Sequence, residues 1–337
     1  MGGGSAIFAC KPARLLSPFT IFAEYHGFGF FLRMETRSGV ILGAGSKDSG
    51  GARLGFLPKC GDCLQDVING KTMRYFIELR YNGGAYCGWQ RQPDMPSVQQ
   101  TIEGAISTLL REPILLTGAG RTDTGVNASY YVAHFDTSSP VADPEQVVFK
   151  LNHMLPGDIA VSRIVPVAAD AHARFSARER EYRYYIEPRK NPFTRAASWQ
   201  YYVPLDVAAM NRAADVLMEF EDFTSFAKLN SDNKTNICHL KRADWTVGRD
   251  GTLCFTIRAD RFLRNMVRAI VGTLVDVGRG RYTVEQFRDI VASRDLSRSS
   301  AGAPAQGLFL SDVLYPPEVF VRETRLPALR YFSSVEK

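Results

Sequence analysis

Thr117-Gly118-Ala119-Gly120-Arg121-Thr122-Asp123-Thr124-Gly125-Val126-Asn127-Ala128 lies between a short apolar run, Pro113 to Leu116, and a strand-like run, Tyr130 to Phe135. That position makes it a loop between two expected strands, and its three glycines admit backbone angles that other residues avoid. A carboxylate, Asp123, and a guanidinium, Arg121, stand at its tip. The commonest use of a glycine-rich loop is to cradle phosphate, and the spacing argues against it. Counting from Gly118, the sixth place of a dinucleotide fingerprint is Asp123, whose charge repels a pyrophosphate. A P-loop needs Lys and then Ser or Thr after its last glycine, where this chain has Val126 and Asn127. Two readings stay open: a surface turn in which Asp123 bonds its own backbone, or a loop that presents Asp123 for chemistry.

Working outward, Tyr75 to Tyr81 reads as a strand and is followed by a turn at Asn82-Gly83-Gly84. Ser97 with Gln100 predicts a capping box, and Val98, Ile102, Ala105, Ile106, Leu109 and Leu110 fall on one helical stripe. A helix over about 143–154, the turn Leu155-Pro156-Gly157-Asp158 and a strand from Ile159 to Val165 complete a first α+β half, 73–168. The order repeats in a second half, 169–316. Glu181 to Ile186 alternates as a strand, Asp206 caps a helix running to Phe220, and Leu240 to Val247 with Thr252 to Ala259 forms a hairpin. A helix over about 262–277, a boxed helix start at Thr283 and Gln286, and a closing strand from Leu308 to Leu314 follow. The fold class is therefore α+β, with two similar halves of antiparallel or mixed sheet flanking a central cleft, and 317–337 as a tail.

Residues 1–72 differ from the rest: they carry 13 of the 28 glycines and show no sustained period, so a disordered or dispensable extension is expected, with Met73 as the functional start. The apolar stretch from Ile7 to Leu32 is broken by charges and prolines, which fits neither a spanning helix nor a secretory signal. The expected location is cytoplasmic, or organellar if 1–72 is a genuine targeting leader. Six scattered cysteines in 337 residues suggest reduced thiols. Cys60-Gly-Asp-Cys63 has zinc or redox spacing, but no second pair or nearby His completes a four-ligand site, so no metal is expected. A formal charge of +6 and a pI near 9.0 favour a polyanionic partner.

Two patches sharpen that partner. Arg261, Arg264 and Arg268 recur at helical spacing, which predicts a basic stripe along one helix face. The segment from Ala171 to Tyr184 interleaves arginines, Arg174 and Arg178 among them, with aromatics; arginines hold phosphates and aromatics stack on unpaired bases. The five histidines have no metal-ligand spacing and no Gly-x-Ser-x-Gly elbow occurs. A loop carboxylate, arginines and tyrosines remain, a set suited to a nucleophilic Asp acting on a nucleoside without metal or cofactor.

Gly120-Arg121-Thr122-Asp123-x-Gly125-Val126 resembles the catalytic signature of the TruA family of tRNA pseudouridine synthases. Tyr86 to Gln92, Leu155-Pro156-Gly157-Asp158, His172 to Ala177, Tyr182-Arg183-Tyr184, Asp222-Phe223-Thr224-Ser225-Phe226 and Phe262-x-x-x-Met266-Val267-Arg268 resemble the family in order and spacing, so the likeness spans roughly 73–316. It implies the pseudouridine synthase fold, and an isomerase that converts uridine to pseudouridine in the anticodon stem-loop of tRNA and needs no cofactor. It implies Asp123 as nucleophile, Arg268 as its ionic partner, and Tyr182 stacking on the flipped base and serving proton transfer. Arg121 would displace the base, with Arg174, Arg178 and Arg264 binding substrate. Family membership implies a homodimer with tRNA as partner and no membrane. The family usually has Ala and His where Thr124 and Asn127 stand. The alternative is a catalytically silent tRNA-binding or chaperone-like protein.

Overall fold

The computed structural model describes residues 72–228 and 235–321, together with the backbone of 20–26, 29–36 and 39–46. Within the N-terminal unit, β1 (Thr20–His26), β2 (Gly29–Thr36) and β3 (Gly39–Ser46) form an antiparallel sheet in that order. These strands fall within the segment read from sequence as an atypical extension. Ladder bonds are made by the backbone, and the registers His26↔Gly29 and Thr36↔Gly39 leave two-residue connections, the shortest hairpin length. Cys60 and Cys63, the remainder of 1–72 and the chain beyond 321 lie outside the described residues.

The second unit, Asp66–Lys337, is built on one sheet. Its strands are β4 (Met73–Tyr81), β5 (Thr117–Gly118), β6 (Asn127–Thr137), β7 (Ile159–Pro166), β8 (Glu179–Glu187), β9 (Trp199–Gln200), β10 (Leu240–Val247), β11 (Leu253–Ala259) and β12 (Leu308–Leu314). The order is β10-β11-β8-β12-β6-β4-β7, with β5 on β6 and β9 on β8. The two halves anticipated from sequence are thus not separate sheets. β12, the last of the described strands, lies between them, antiparallel to β8 and parallel to β6.

Alternation along the strands explains the layering. Tyr75, Ile77, Leu79, Tyr131, Ala133 and Phe135 face one side and pack with Ile102 and Ile106 of α1 (Val98–Leu110) and Leu151 of α2 (Pro144–Met154). Tyr184, Ile186, Phe255 and Ile257 pack with α3 (Val207–Leu217), α4 (Met266–Gly278) and α5 (Val284–Ala292). Phe76, Val132 and Val165 sit among the strand residues of opposite parity, in a smaller cluster with Ala171, Ala173 and Val319. Val319 is buried there, and Phe320 pairs with Val167 and packs edge-on to Phe76, so the tail begins later than residue 317.

Capping follows the sequence closely. Asp143, Asp206 and Thr283 accept from the third residue onward, and Thr283 with Gln286 forms a complete box. At α1 only half of the expected box is made: Ser97 accepts from Gln100 N–H, while the Gln100 side chain takes no part. The helix from Asp206 ends at Leu217. α4 starts at Met266 rather than 262, because Asn265 takes a left-handed φ of 65° that breaks the helical run before it. Arg261, Arg264 and Arg268 therefore do not share a helix face: the first two precede the helix.

His134 on β6 accepts the Ala173 N–H at Nδ1, 3.1 Å, and its ring meets that of His172 at 4.6 Å. Burial, and then the charges of Arg74 and His172, pull the His134 imidazole down to about 4 from 6.5. Because the folded value is depressed, the unfolded chain binds the extra proton; this contribution is complete above pH 6.5 and is lost as pH falls toward 4. Between neutrality and about pH 5 the wild type should lose about 2 kcal/mol from this group, and His134→Gln should lose that much less in paired urea denaturations.

Candidate active site

The 117–128 loop is anchored at both ends. Ala119 N–H donates to Val132 O at 2.8 Å, and the Tyr131 hydroxyl donates to Gly120 O. Gly118 fits here because a Cβ would stand 2.1 Å from the Tyr131 oxygen. Thr122 Oγ1 accepts from Trp89 N–H at 3.1 Å and bonds the Tyr81 hydroxyl at 2.9 Å. Gly88, at φ 90°, lies so close that a Cβ would meet Thr122 O at 2.2 Å. Tyr86, from the same aromatic segment, donates to Asp158 at 2.8 Å, so two of the matched motifs meet here. At the exit, Val126 N–H closes a turn onto Asp123 O at 3.1 Å.

Asn127, buried at 1% exposure, ends the loop. Its Oδ1 accepts from Gly83 N–H and its Nδ2 donates to Gln306 O, both at 2.8 Å. The amide therefore ties the loop to the turn after β4 and to the approach to β12. The side chain at this departure from the family pattern is a structural tie, a role the sequence did not reveal.

Asp123 stands 29% exposed, with Arg264 Nε 3.7 Å from one carboxylate oxygen and Arg268 Nη1 3.8 Å from the other. Both are ion-pair distances longer than a hydrogen bond, so the carboxylate has its charge balanced while its lone pairs stay unengaged by these arginines. Arg268 is itself fixed by donating Nε–H to Ala303 O at 2.7 Å, and Ala303 N–H returns a bond to Arg268 O at 2.9 Å. Arg264, anticipated as a substrate contact, is thus also an ionic neighbour of Asp123.

Tyr182 lies opposite. In β8 it pairs with Leu310 of β12, and Leu310 pairs in turn with Ala128, so tyrosine and loop exit are two strands apart, about 10 Å. Its ring packs against both helical cores and meets Phe262 edge-on at 5.1 Å, which places it at the seam between the halves. Burial pushes its phenol up to about 12, with Arg180 pulling the other way and the Asp123 charge adding to the rise.

The other anticipated residues ring this centre. Arg121 is exposed on the loop. Arg174 is exposed with its guanidinium 5.7 Å from the centre of the Phe175 ring, and Phe175 is 76% exposed against His172. Arg178 is exposed and its backbone N–H donates to Leu314 O. The structure brings Asp123, Arg264, Arg268 and Tyr182 together and leaves Arg121, Arg174 and Arg178 on the surface. Sequence reasoning missed Thr122 and Arg180. Arg180 was open to discovery, because two residues before Tyr182 in a strand is the same face. Among the described residues no group of three or more His, Cys, Asp or Glu is arranged to hold a metal, and no helix is long and apolar enough to cross a membrane.

Comparison with known proteins gives this arrangement a context. A family model described as tRNA pseudouridine synthase matches residues 219–316. The tRNA pseudouridine synthase A of Bacteroides thetaiotaomicron is 52% identical over 258 residues, 76% of this chain and 96% of that protein. The protein of the same name from Parabacteroides distasonis is 51% identical over 248 residues, 73% and 98% of the two chains. That of Gloeobacter violaceus is 40% identical over 263 residues, 77% and 86%.

Proposed function

This chain belongs to the TruA family of tRNA pseudouridine synthases, and on that premise we propose that Asp123 is the nucleophile that converts uridine to pseudouridine in the anticodon stem-loop of tRNA. The enzyme is an isomerase. The observation that carries the residue assignment is the Asp123 carboxylate, ion-paired with Arg264 and Arg268 but held beyond hydrogen-bond distance by both. An ionised oxygen with available lone pairs can attack C1′ of the ribose or C6 of the uracil. The N1–C1′ bond breaks, the base turns, and a C5–C1′ bond forms; the C5 proton is lost and N1 is protonated. Atoms balance without a co-reactant.

Tyr182 stacks on the flipped uracil and serves proton transfer, a role supported by its half-buried place at the seam. Arg121, exposed beside Asp123, enters the space the base vacates, and unstacking costs a few kcal/mol that such contacts offset. Arg174, Arg178 and Arg264 meet phosphates, with Phe175 available to a neighbouring base. A cytoplasmic homodimer with tRNA across both subunits belongs to the same reading and is supported by the family. The silent tRNA-binding alternative has less support, since the similar proteins are named as synthases and Asp123 with two neighbouring arginines is what the proposed chemistry would need.

The direct test is incubation with an unmodified tRNA transcript followed by mapping of pseudouridine; conversion outside the anticodon arm alone would redirect the specificity, and none would remove the reading. If Arg174, Arg178 and Arg264 each meet one phosphate, log affinity should fall against log salt with a slope of about −2 by filter binding.

A further inference from the structure

Arg180 precedes Tyr182 by two residues in β8 and shares its face. Its guanidinium donates through Nη1 to Ala177 O at 3.0 Å and to Asp260 O at 2.9 Å. Through Nη2 it donates to Ala119 O at 3.3 Å and to Arg174 O. Each of these carbonyls belongs to a segment that supplies the site. Ala119 lies in the loop that presents Asp123, Asp260 opens the segment that brings Arg264, and Arg174 and Ala177 bound the turn that exposes Phe175.

Two physical arguments separate this residue from a phosphate contact and from a simple core residue. The four hydrogens on its two terminal nitrogens face four protein carbonyls, which leaves those donors no place for a substrate oxygen. Carbonyls satisfy the hydrogens but do not neutralise the charge. Burial pulls the Arg180 guanidinium down and the Asp260 carboxylate acts on it only at a distance, so placing a cation here without a direct ion pair is costly and stability alone would favour an apolar residue. The planar fork can hold separate segments in one geometry, which a point-charge ammonium cannot. The groups that face Tyr182 are Asp123 from the loop, Tyr81 from β4, Tyr131 from β6 and Arg180 itself.

We propose that Arg180 is a positioning residue for the isomerisation, fixing the Asp123 loop and the Arg264 segment to the strand that carries Tyr182 and lending that tyrosine a fixed positive neighbour. The inference rests on Asp123 and Tyr182 having the roles given above.

The test compares full-length Arg180→Met and Arg180→Lys with wild type on an unmodified tRNA transcript, measuring single-turnover rate, tRNA affinity and melting. Arg180→Met should turn over about 100-fold slower with affinity within about 3-fold, since displacing a reacting group by an ångström costs on that order. Arg180→Lys, retaining charge but not the fork, should recover part of that loss and stay about 10-fold slow. A wild-type rate in Arg180→Met, or a loss of affinity matching the loss of rate, overturns the proposal. If Arg180→Met does not fold, Arg180→Lys decides: reduced turnover at unchanged affinity supports the proposal, and the wild-type rate overturns it. Asp123→Ala in the same assay keeps the two readings apart. Turnover by that variant removes the nucleophile assignment; a dead Asp123→Ala beside a fully active Arg180→Met removes only the role of Arg180.

Discussion

Replacing Asp123 by Asn should abolish pseudouridine formation while leaving tRNA bound. The amide has the shape of the carboxylate but not its charge, and a neutral amide is a poor nucleophile, so the single-turnover rate should drop by at least about 10⁴-fold. Binding should change little or tighten, because Arg264 and Arg268, 3.7 and 3.8 Å from the carboxylate, lose a competing anion. Rate and affinity measured on one unmodified transcript decide the matter. Turnover near the wild-type rate would refute the nucleophile assignment, and a parallel collapse of affinity would show that Asp123 organises the RNA surface rather than the chemistry.

Asn127→Ala should be the most damaging neutral substitution near the site. It removes a side chain of 1% exposure and strands the buried Gly83 N–H and the part-buried Gln306 carbonyl, and each unsatisfied group costs about 1–3 kcal/mol, so a loss of about 3 kcal/mol is expected in urea unfolding. Turnover should fall as well, because the loop exit loses its tie to the approach of β12. Asn127→His, which retains one donor and one acceptor, should lose less than the alanine variant. Stability of Asn127→Ala within about 0.5 kcal/mol of wild type would show that water replaces both bonds.

Most strands and helices of the second unit were legible because their signals are local. Alternation in β4 and β8, the stripe of α1 and the caps at Asp143, Asp206 and Thr283 each name an element without reference to the rest of the chain. What was not legible depends on partners far apart in sequence. That β12 joins two half-sheets is fixed by pairings of Leu310 with Ala128 and with Tyr182, which no local pattern encodes. The late start of α4 hangs on the left-handed backbone of Asn265, a conformation open to Asn but not announced by it. At the site, Asp123, Arg268 and Tyr182 came from motif resemblance and from residue type. Arg180 and Thr122 act through backbone atoms of other segments, so their roles emerge only in three dimensions.

The place of β12 also orders events during synthesis. Strands β6 and β8 become neighbours of a common strand only when residues 308–314 insert between them, about 130 residues after Tyr182 has been made. The Asp123 loop and Tyr182 are therefore translated long before the strand that pairs with both of their strands, and such long-range closure is intrinsically slow. The two-strand spacing between the loop exit and Tyr182 is thus a late, long-range product of folding, set by a strand made well after both of the segments it separates.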